Sequence, residues 1–285
     1  MNKENNGKPR VAIIGAGPVG LEAALAARER DLPFTVYEMG SRPAANVREW
    51  GHVGLFSPWS MNASSRMRKH LGEAGHEVPG GEACPTGRAL VSRVLDPVAA
   101  LDGMAGRIRL GTRVVQIGRE GMLKDDAIGS AARGRPPFRL LLADDGGRER
   151  VERADVVLDC SGSYTNPNPT GDGGIPAPGE EALDGEIRRT IPDVRSELES
   201  WAGRTTLLVG AGHSAQTAIR DLAAVAHERP GTRVVTGAGS PTIRCRNGPG
   251  SRPRPPPWPT VPRPRSSFAP ARWWRPWAEM GAATR

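Results

Sequence analysis

Residues 10–38 read RVAIIGAGPVGLEAALAARERDLPFTVYE, and the fold that we predict follows from this stretch. Val11–Ile14 is a short apolar run, typical of a strand that is buried on both faces. A glycine-rich turn follows it and opens a helix from Leu21 to Arg30, after which Phe34–Tyr37 returns as a second strand. The order strand, turn, helix, strand indicates an α/β domain built on a parallel sheet.

The turn itself, Gly15-Ala16-Gly17-Pro18-Val19-Gly20, has the spacing GxGxxG. Gly15 permits the tight turn, Gly17 lets the backbone approach a diphosphate, and Gly20 lets the helix pack closely on the strand. Pro18 and Val19 start the helix, whose free N–H groups and dipole attract phosphate. Glu38 stands 23 residues after Gly15, where its carboxylate can accept hydrogen bonds from a ribose. We predict a dinucleotide site here; a glycine turn that binds nothing is the alternative.

A second unit of the same kind begins about 190 residues later in the chain. The apolar run 205–209 precedes a turn and a helix from Ser214 to His227, and 233–235 is expected to be the next strand. The candidate phosphate-binding residues of this turn are Gly210, Gly212, His213, Ser214 and Ala215. Arg233, and no acid, stands 23 residues after Gly210, which favours NADP over NAD because a 2′-phosphate prefers Arg. Arg244 and Arg246 are candidates for that role, and a purely structural turn is the alternative.

The intervening sequence is expected to complete the first domain. Residues 138–153 read as a β-hairpin around Asp144-Asp145-Gly146-Gly147, and 154–159 read as a further buried strand. A helix from about Arg88 to Leu101 is expected to bend near Pro97, whereas 40–85 read as irregular. We predict a Rossmann-like domain over 9–165, with a parallel sheet and a small antiparallel layer, and a partial, incomplete Rossmann-like unit over 166–240.

The composition changes abruptly after residue 240. Residues 241–285 contain nine arginines, eleven prolines, four of the seven tryptophans and a single acid, Glu279, so the net charge of +8 belongs to this segment. Residues 1–240 carry equal numbers of acidic and basic side chains, which argues against a nucleic-acid-binding body. We expect 241–285 to be a disordered tail, since neither a helical nor a strand period is visible there. A polyproline II ligand around Pro255–Pro259 is the alternative.

Two glycine loops in one chain resemble the two-dinucleotide-binding flavoprotein superfamily, and especially its flavin-containing monooxygenase-like branch. The resemblance implies that the first loop binds FAD and the second binds NADPH. Cys160-Ser161-Gly162 is similar to the Ala-Thr-Gly that ends a strand near the flavin in this family, which makes Ser161 and Gly162 candidate contacts. Residues 60–67 are similar to the family's Asn-Thr-Ser-Lys segment, so Asn62 takes the position of the catalytic asparagine; an Asx-turn is the alternative.

The resemblance covers about residues 9–237 and has departures. Arg48-Glu49-Trp50-Gly51 stands where the family has a double glycine and tryptophan, and the monooxygenase linker fingerprint is not matched. The family also returns to the FAD domain after the NADPH domain, whereas here the arginine- and proline-rich tail follows. We therefore expect that the C-terminus is truncated or frameshifted, because Arg, Pro, Gly, Ala and Trp are what a GC-rich gene encodes in a wrong frame.

The function that the resemblance implies is an FAD-dependent oxidoreductase: NADPH reduces the flavin, which passes electrons to oxygen or to a small-molecule substrate. A nucleotide- or flavin-binding remnant without turnover is the alternative, so enzymatic activity stays open. The three cysteines form no CxxC and no metal-ligand spacing, and no apolar run reaches membrane-spanning length. We expect a cytoplasmic protein without a metal site, a membrane or a nucleic-acid partner; the sequence leaves its oligomeric state unknown.

Overall fold

A computed structural model describes residues 7–171 and 174–237, which fall in one compact unit. The tail and the segment of Arg244 and Arg246 lie outside the described residues. The strands are β1 Val11–Ile14, β2 Phe34–Tyr37, β3 Ile108–Arg109, β4 Thr112–Arg119, β5 Phe138–Asp144, β6 Glu149–Ala154, β7 Val156–Asp159, β8 Thr205–Leu208 and β9 Arg233–Thr236. The helices are α1 Pro18–Glu29, α2 Ala45–Glu49, α3 Trp59–Asn62, α4 Ser65–Glu73, α5 Gly87–Leu90, α6 Asp96–Ala100, α7 Leu198–Trp201 and α8 His213–Glu228.

The first unit contains the predicted parallel sheet, with strand order β3-β2-β1-β7. β1 lies in the centre and pairs with both β2 and β7, so that Ile14 is opposite Tyr37 on one side and Asp159 on the other. Its side chains are buried on both faces, as the unbroken apolar run predicts. Ile13 packs into the larger core with α1 and the helical segment 87–100. The α/β fold with a Rossmann-like sheet is confirmed.

A three-stranded antiparallel sheet, in the order β4-β5-β6, covers part of the opposite face. Leu140 and Leu142 of β5 are fully buried in a small core with Ala12 and Tyr37 of the parallel sheet. The Tyr37 hydroxyl donates to Glu152 Oε2 at 2.6 Å, and burial, followed by this carboxylate, raises the pKa of Tyr37. This is the small antiparallel layer that the hairpin motif predicts.

Two details of the first unit differ from the sequence prediction. Residues 40–85 contain three helices. The longest of them is α4, and its N-cap is Ser64, whose Oγ accepts from the Met67 amide. Ala154 ends β6 and does not belong to β7, because Asp155 turns the chain and pairs with Arg10. The predicted helix around Pro97 is present over residues 87–100 and contains a π-helical turn at Val91–Leu95, just before the proline, which offers no N–H for the regular pattern.

The second unit consists of β8 and β9, paired in parallel, and α8. Leu222 and Val225 of α8 are buried with Val194 in a separate small core. The other face of the two strands is open among the described residues, since Leu207 is 64% exposed. No helix within the described ranges is long and apolar enough to span a bilayer.

The segment between the two units is organised around one buried carboxylate. Glu180 accepts hydrogen bonds from the Thr170 hydroxyl and amide and from the Ala177 amide, and Arg189 pairs with it at 3.1 Å. The Thr170 hydroxyl, followed by the Ala177 amide, lowers the pKa of Glu180 to about 2. This segment is therefore a loop whose backbone and side chains close around the Glu180 carboxylate.

We expect this loop to open in acid. A carboxyl group whose pKa is lowered on folding stabilises the native state above its ordinary value near 4.5, and that stabilisation is lost as the pH falls towards 2. Glu180→Gln should therefore speed hydrogen exchange at the Thr170 and Ala177 amides about tenfold at neutral pH, with a smaller effect at about pH 3. Glu181→Gln, at the exposed neighbouring position, is the matched control. Equal exchange rates at these amides in both variants would show that the Glu180 carboxylate does not hold the loop closed.

Candidate dinucleotide site

The candidate site lies at the carboxyl edge of the parallel sheet, where the strand order reverses. The chain moves from β1 to β2 and β3 on one side, and β7 lies on the other side of β1. The loops after β1 and β7 therefore meet, and the Cys160 amide donates to Ile14 O at 2.9 Å. A crevice outside the strand ends at such a switch point is where open α/β sheets bind ligands.

Gly15 and Gly20 are required by the protein itself. Gly15 has φ +93°, and a Cβ there would lie 2.8 Å from the carbonyl oxygen of Cys160. A Cβ at Gly20 would lie 1.8 Å from the Gly15 oxygen, so the first turn of α1 rests directly on the loop. The roles predicted for these two glycines, a tight turn and a close helix–strand contact, match this geometry.

Gly17 differs because nothing in the described protein explains it. Its φ is −78°, which any residue adopts, and a Cβ there would meet no atom within 4 Å. Gly17 is the N-cap of α1 without a side-chain cap, so the first amides of the helix have no intrahelical acceptor. Pro18 and Val19 are exposed beside it. The open space and the free donors suit an anion that approaches the backbone.

Exposed apolar side chains mark the same edge. Large exposed ones stand near the carboxyl ends of three parallel strands: Met39 after β2, Leu110 after β3 and Leu158 near the end of β7, between 39% and 42% exposed. Val19, in the first turn of α1, is 66% exposed. Apolar residues gathered along a crevice are typical of a surface that a ligand covers.

Glu38 directly follows β2 and is 6% exposed. Its Oε2 accepts from the Ala16 amide at 2.7 Å and its Oε1 accepts from the Gly40 amide at 2.8 Å. The carboxylate is thus held against the glycine loop by backbone donors. Each oxygen retains acceptor capacity, so a ribose hydroxyl can still be bound. The sequence did not reveal these two bonds, because backbone donors leave no residue-type signal.

The loop after β7 brings Ser161 and Gly162 to the same crevice. Ser161 donates from its hydroxyl and its amide to Asp159 Oδ1, at 2.6 and 3.1 Å, and these bonds lower the pKa of Asp159. Gly162 has φ +69°, a conformation that glycine adopts readily. Burial raises the pKa of the Cys160 thiol, which contacts the core beneath the loop.

Asn62 lies in a turn of its own, at the end of α3. Its Nδ2 donates to Ser57 O at 2.7 Å and to Pro58 O at 2.9 Å, and its Oδ1 accepts from Ser57 Oγ at 2.9 Å. Both N–H groups of the amide are therefore used within the turn. Oδ1 keeps one further acceptor position.

The second glycine loop repeats the first with looser packing. Gly210 has φ +121°, and Gly212 caps α8 with no atom within 4 Å of a Cβ position. The Cβ of Ala215 would lie 3.8 Å from a Cβ at Gly210, an ordinary contact, which explains why alanine is accepted at the third small position. His213 and Ser214 start the helix, as Pro18 and Val19 do in the first loop.

An aromatic contact that the sequence did not predict joins the second loop to the first unit. Phe56 stacks on His213 with ring centroids 4.8 Å apart and an angle of 23° between the planes. Phe56 is otherwise 72% exposed, in a stretch that reads as irregular. The stack places residues 55–57 beside the start of α8.

The position that corresponds to Glu38 in the second unit is residue 238, which lies outside the described residues. In the first unit, Ile13 lies opposite Val36 and stands two residues before Gly15. In the second unit, Leu208 lies opposite Thr236 and stands two residues before Gly210, so residue 238 takes the place of Glu38. Arg233 lies opposite Thr205, at the amino end of β9. Arg233 therefore lies at the end of β9 that is farther from the second glycine loop. The count of 23 residues does not lead to the carboxyl end of the strand here, because the number of residues between the glycine loop and the next strand differs between the two units.

Two comparisons with known proteins, with a family model and with solved structures, agree on the fold. Residues 13–71 match the NAD(P)-binding Rossmann-like domain family. No curated protein matches the chain. Among solved structures, the chain is similar to the bacillithiol disulfide reductase Bdr from Bacillus cereus, with 20% identity and a TM-score of 0.56, over 83% of this chain and 61% of that one.

Two further structures are similar at lower identity. The cadaverine monooxygenase DfoA from Erwinia amylovora, bound to FAD, has 15% identity and a TM-score of 0.52, over 81% of this chain and 51% of that one. OTEMO in complex with FAD and NADP has 14% identity and a TM-score of 0.52, over 78% and 38% of the respective chains. The present chain thus spans 38% to 61% of the length of these structures.

The chain therefore has the fold of the two-dinucleotide-binding flavoproteins, with a Rossmann-like domain at its N-terminal end. The resemblance inferred from the two glycine loops is confirmed at this level.

Proposed function

We propose that the protein is an FAD-dependent oxidoreductase that uses NADPH to reduce its flavin, with monooxygenase-like chemistry and a small molecule or oxygen as acceptor. The observation that carries the proposal is the open backbone at Gly17. The protein leaves both the space and the amide donors there unused. Similar folds crystallised with FAD, or with FAD and NADP, support the identity of the ligands.

FAD is assigned to the first loop because all its elements are present. The α1 amides face the diphosphate, Glu38 accepts from the ribose, and the loop at Ser161 and Gly162 forms the far side of the crevice. The exposed apolar residues at the strand ends exclude water from the bound cofactor. FAD supplies the redox chemistry when bound, and the protein orients it.

NADP is assigned to the second loop. The sequence has Ala238 in the position that corresponds to Glu38, so the second unit lacks the carboxylate that would select the free 2′-hydroxyl of NAD. The backbone amides at the start of α8, after the N-cap Gly212, form the diphosphate site. His213 stacks on Phe56 and so keeps this loop beside the first unit. Asn62 is proposed as the catalytic residue, presenting Oδ1 from its fixed turn.

A binding protein without turnover is the second candidate. The open face of β8 and β9, with Leu207 and Val235 exposed, is the observation that favours it. A second site that is incompletely enclosed would bind NADPH weakly while the first retains FAD. A cytoplasmic location is proposed with either function.

The absorbance spectrum of the purified chain tests both candidates. We expect a bound flavin, and bleaching of its absorbance under anaerobic conditions on addition of NADPH, with NADH at least about tenfold less effective. A flavin spectrum that NADPH leaves unchanged would select the binding protein. A colourless protein that takes up no added FAD would contradict the assignment of the first loop.

A further inference from the structure

A second cavity lies at the other end of α1, away from the glycine loops. Its volume is about 330 Å³, at the lower end of the range for small-molecule sites. The last turns of α1, α4 and α6 line it, with Arg28, His70, Glu73 and Asp102 among its residues. α1 has 12 residues, so the cavity and the Gly17 loop are separated by about 18 Å.

Arg28 is the unsatisfied group of this cavity. Its Nη1 is buried and has no hydrogen-bond partner, and the guanidinium makes no ion pair with any described residue. The side chain passes close to Gly103, where a Cβ would lie 3.6 Å from Arg28 Nε. Nε and Nη2 also have no acceptor among the described residues and, unlike Nη1, are not enclosed, so the guanidinium can bind a carboxylate or phosphate oxygen in the cavity through them.

The neighbouring charges are otherwise paired. His70 lies between Glu29 and Glu73, at 2.9 and 3.2 Å, and Arg66 pairs with Glu29 as well. Asp102 is the exception, because it makes no ion pair or side-chain hydrogen bond with any described residue. The cavity therefore presents one unpaired cation and one unpaired acceptor.

The helix ends limit which anion fits. The C-termini of α1, α4 and α6 carry partial negative charge, which disfavours a compact ion of high charge density. A ligand with a carboxylate for Arg28 and a hydroxyl or ammonium donor for Asp102 satisfies both groups at once. His76 stands at the rim and adds a further polar contact.

We propose that this cavity is a binding site for a small carboxylate that also carries a hydrogen-bond donor, as in a hydroxy acid or amino acid. Arg28 binds the carboxylate and Asp102 accepts from the donor. The site is independent of the proposed cofactor loops.

Calorimetric titration of the full chain with L-malate, succinate and inorganic phosphate tests the proposal. Malate and succinate differ by one hydroxyl, so we expect malate to bind about tenfold more tightly than succinate, and more tightly than phosphate. Arg28→Gln should weaken malate binding at least about tenfold, and Asp102→Asn should reduce the preference for malate over succinate. Arg30→Gln, at the same helix end with its Nη1 on Ala26 O, is the matched control and should bind malate as the parent does.

Each other result overturns a part of the proposal. No malate binding, or equal binding by Arg28→Gln, would show that Arg28 serves only to offset the helix C-terminus. Equal affinity for malate and succinate would show that Asp102 does not bind the malate hydroxyl. Tighter binding of phosphate than of malate would show that the site prefers phosphate to a carboxylate. Arg28→Lys keeps the charge and the stem, and it should retain part of the affinity if the first variant fails to fold.

Discussion

Valine in place of Gly17 is expected to lower the affinity for FAD about a hundredfold and to leave the fold intact. Gly17 has an ordinary φ, and no protein atom lies within 4 Å of its Cβ position, so the chain itself accepts a side chain there. The isopropyl group would instead occupy the space in front of the α1 amides, where the diphosphate is proposed to lie. A steric overlap of this kind costs about 3 kcal/mol, which corresponds to a hundredfold change in Kd.

The measurement is a titration of the apoprotein with FAD, followed by fluorescence, together with a urea unfolding curve. Gly212→Val is the matched control, because Gly212 is the N-cap of α8 with equally open surroundings. It should weaken NADPH and leave FAD unaffected. Unchanged FAD binding by Gly17→Val, with the fold preserved, would show that the cofactor does not approach this backbone.

Alanine in place of Gly20 is expected to destabilise the protein by about 3 kcal/mol or more. Its Cβ would lie 1.8 Å from the Gly15 oxygen, a contact that forces backbone movement. The loop has little freedom to give way, since the Gly15 amide donates to Tyr37 O at 2.7 Å and its own Cβ position faces the Cys160 carbonyl. Movement of α1 away from the sheet would also open the core around Leu21.

Urea unfolding of the apoprotein, without cofactor, measures this effect apart from ligand binding. Gly72→Ala is the control, because Gly72 lies in α4 with a normal backbone and open surroundings. It should stabilise the protein by about 0.5–1 kcal/mol, as alanine does in a helix. A Gly20→Ala protein as stable as the parent would show that α1 does not rest on the Gly15 carbonyl.

The regular elements around the two glycine loops could be predicted because their signals are local. The apolar run of β1 and the turn Asp144–Gly147 each indicate one element without reference to the rest of the chain. The same holds for Thr86, whose hydroxyl caps the Ala89 amide as its position before a helix suggests.

Other elements were missed because packing decides them. α4 carries six charged or polar residues, and only the burial of Met67 and Leu71 gives it an inner face. Its position depends on Glu22 and Glu29 of α1, to which Arg66 binds, and no local pattern reports such a partner. Likewise, the interval that relates Gly15 to Glu38 does not apply to Gly210, because α8 has 16 residues and α1 has 12.

The sequence alone determined that this protein has two strand–glycine–helix units, since spacing and residue type specify tight turns and short buried strands locally. Only the tertiary structure decided which residues those units bring together. It joined the loop after β1 to the loop after β7, set Glu38 against the Ala16 amide and left Gly17 open. The reason is that sheet order and side-chain burial arise from contacts between segments distant in the chain, which local propensity does not encode.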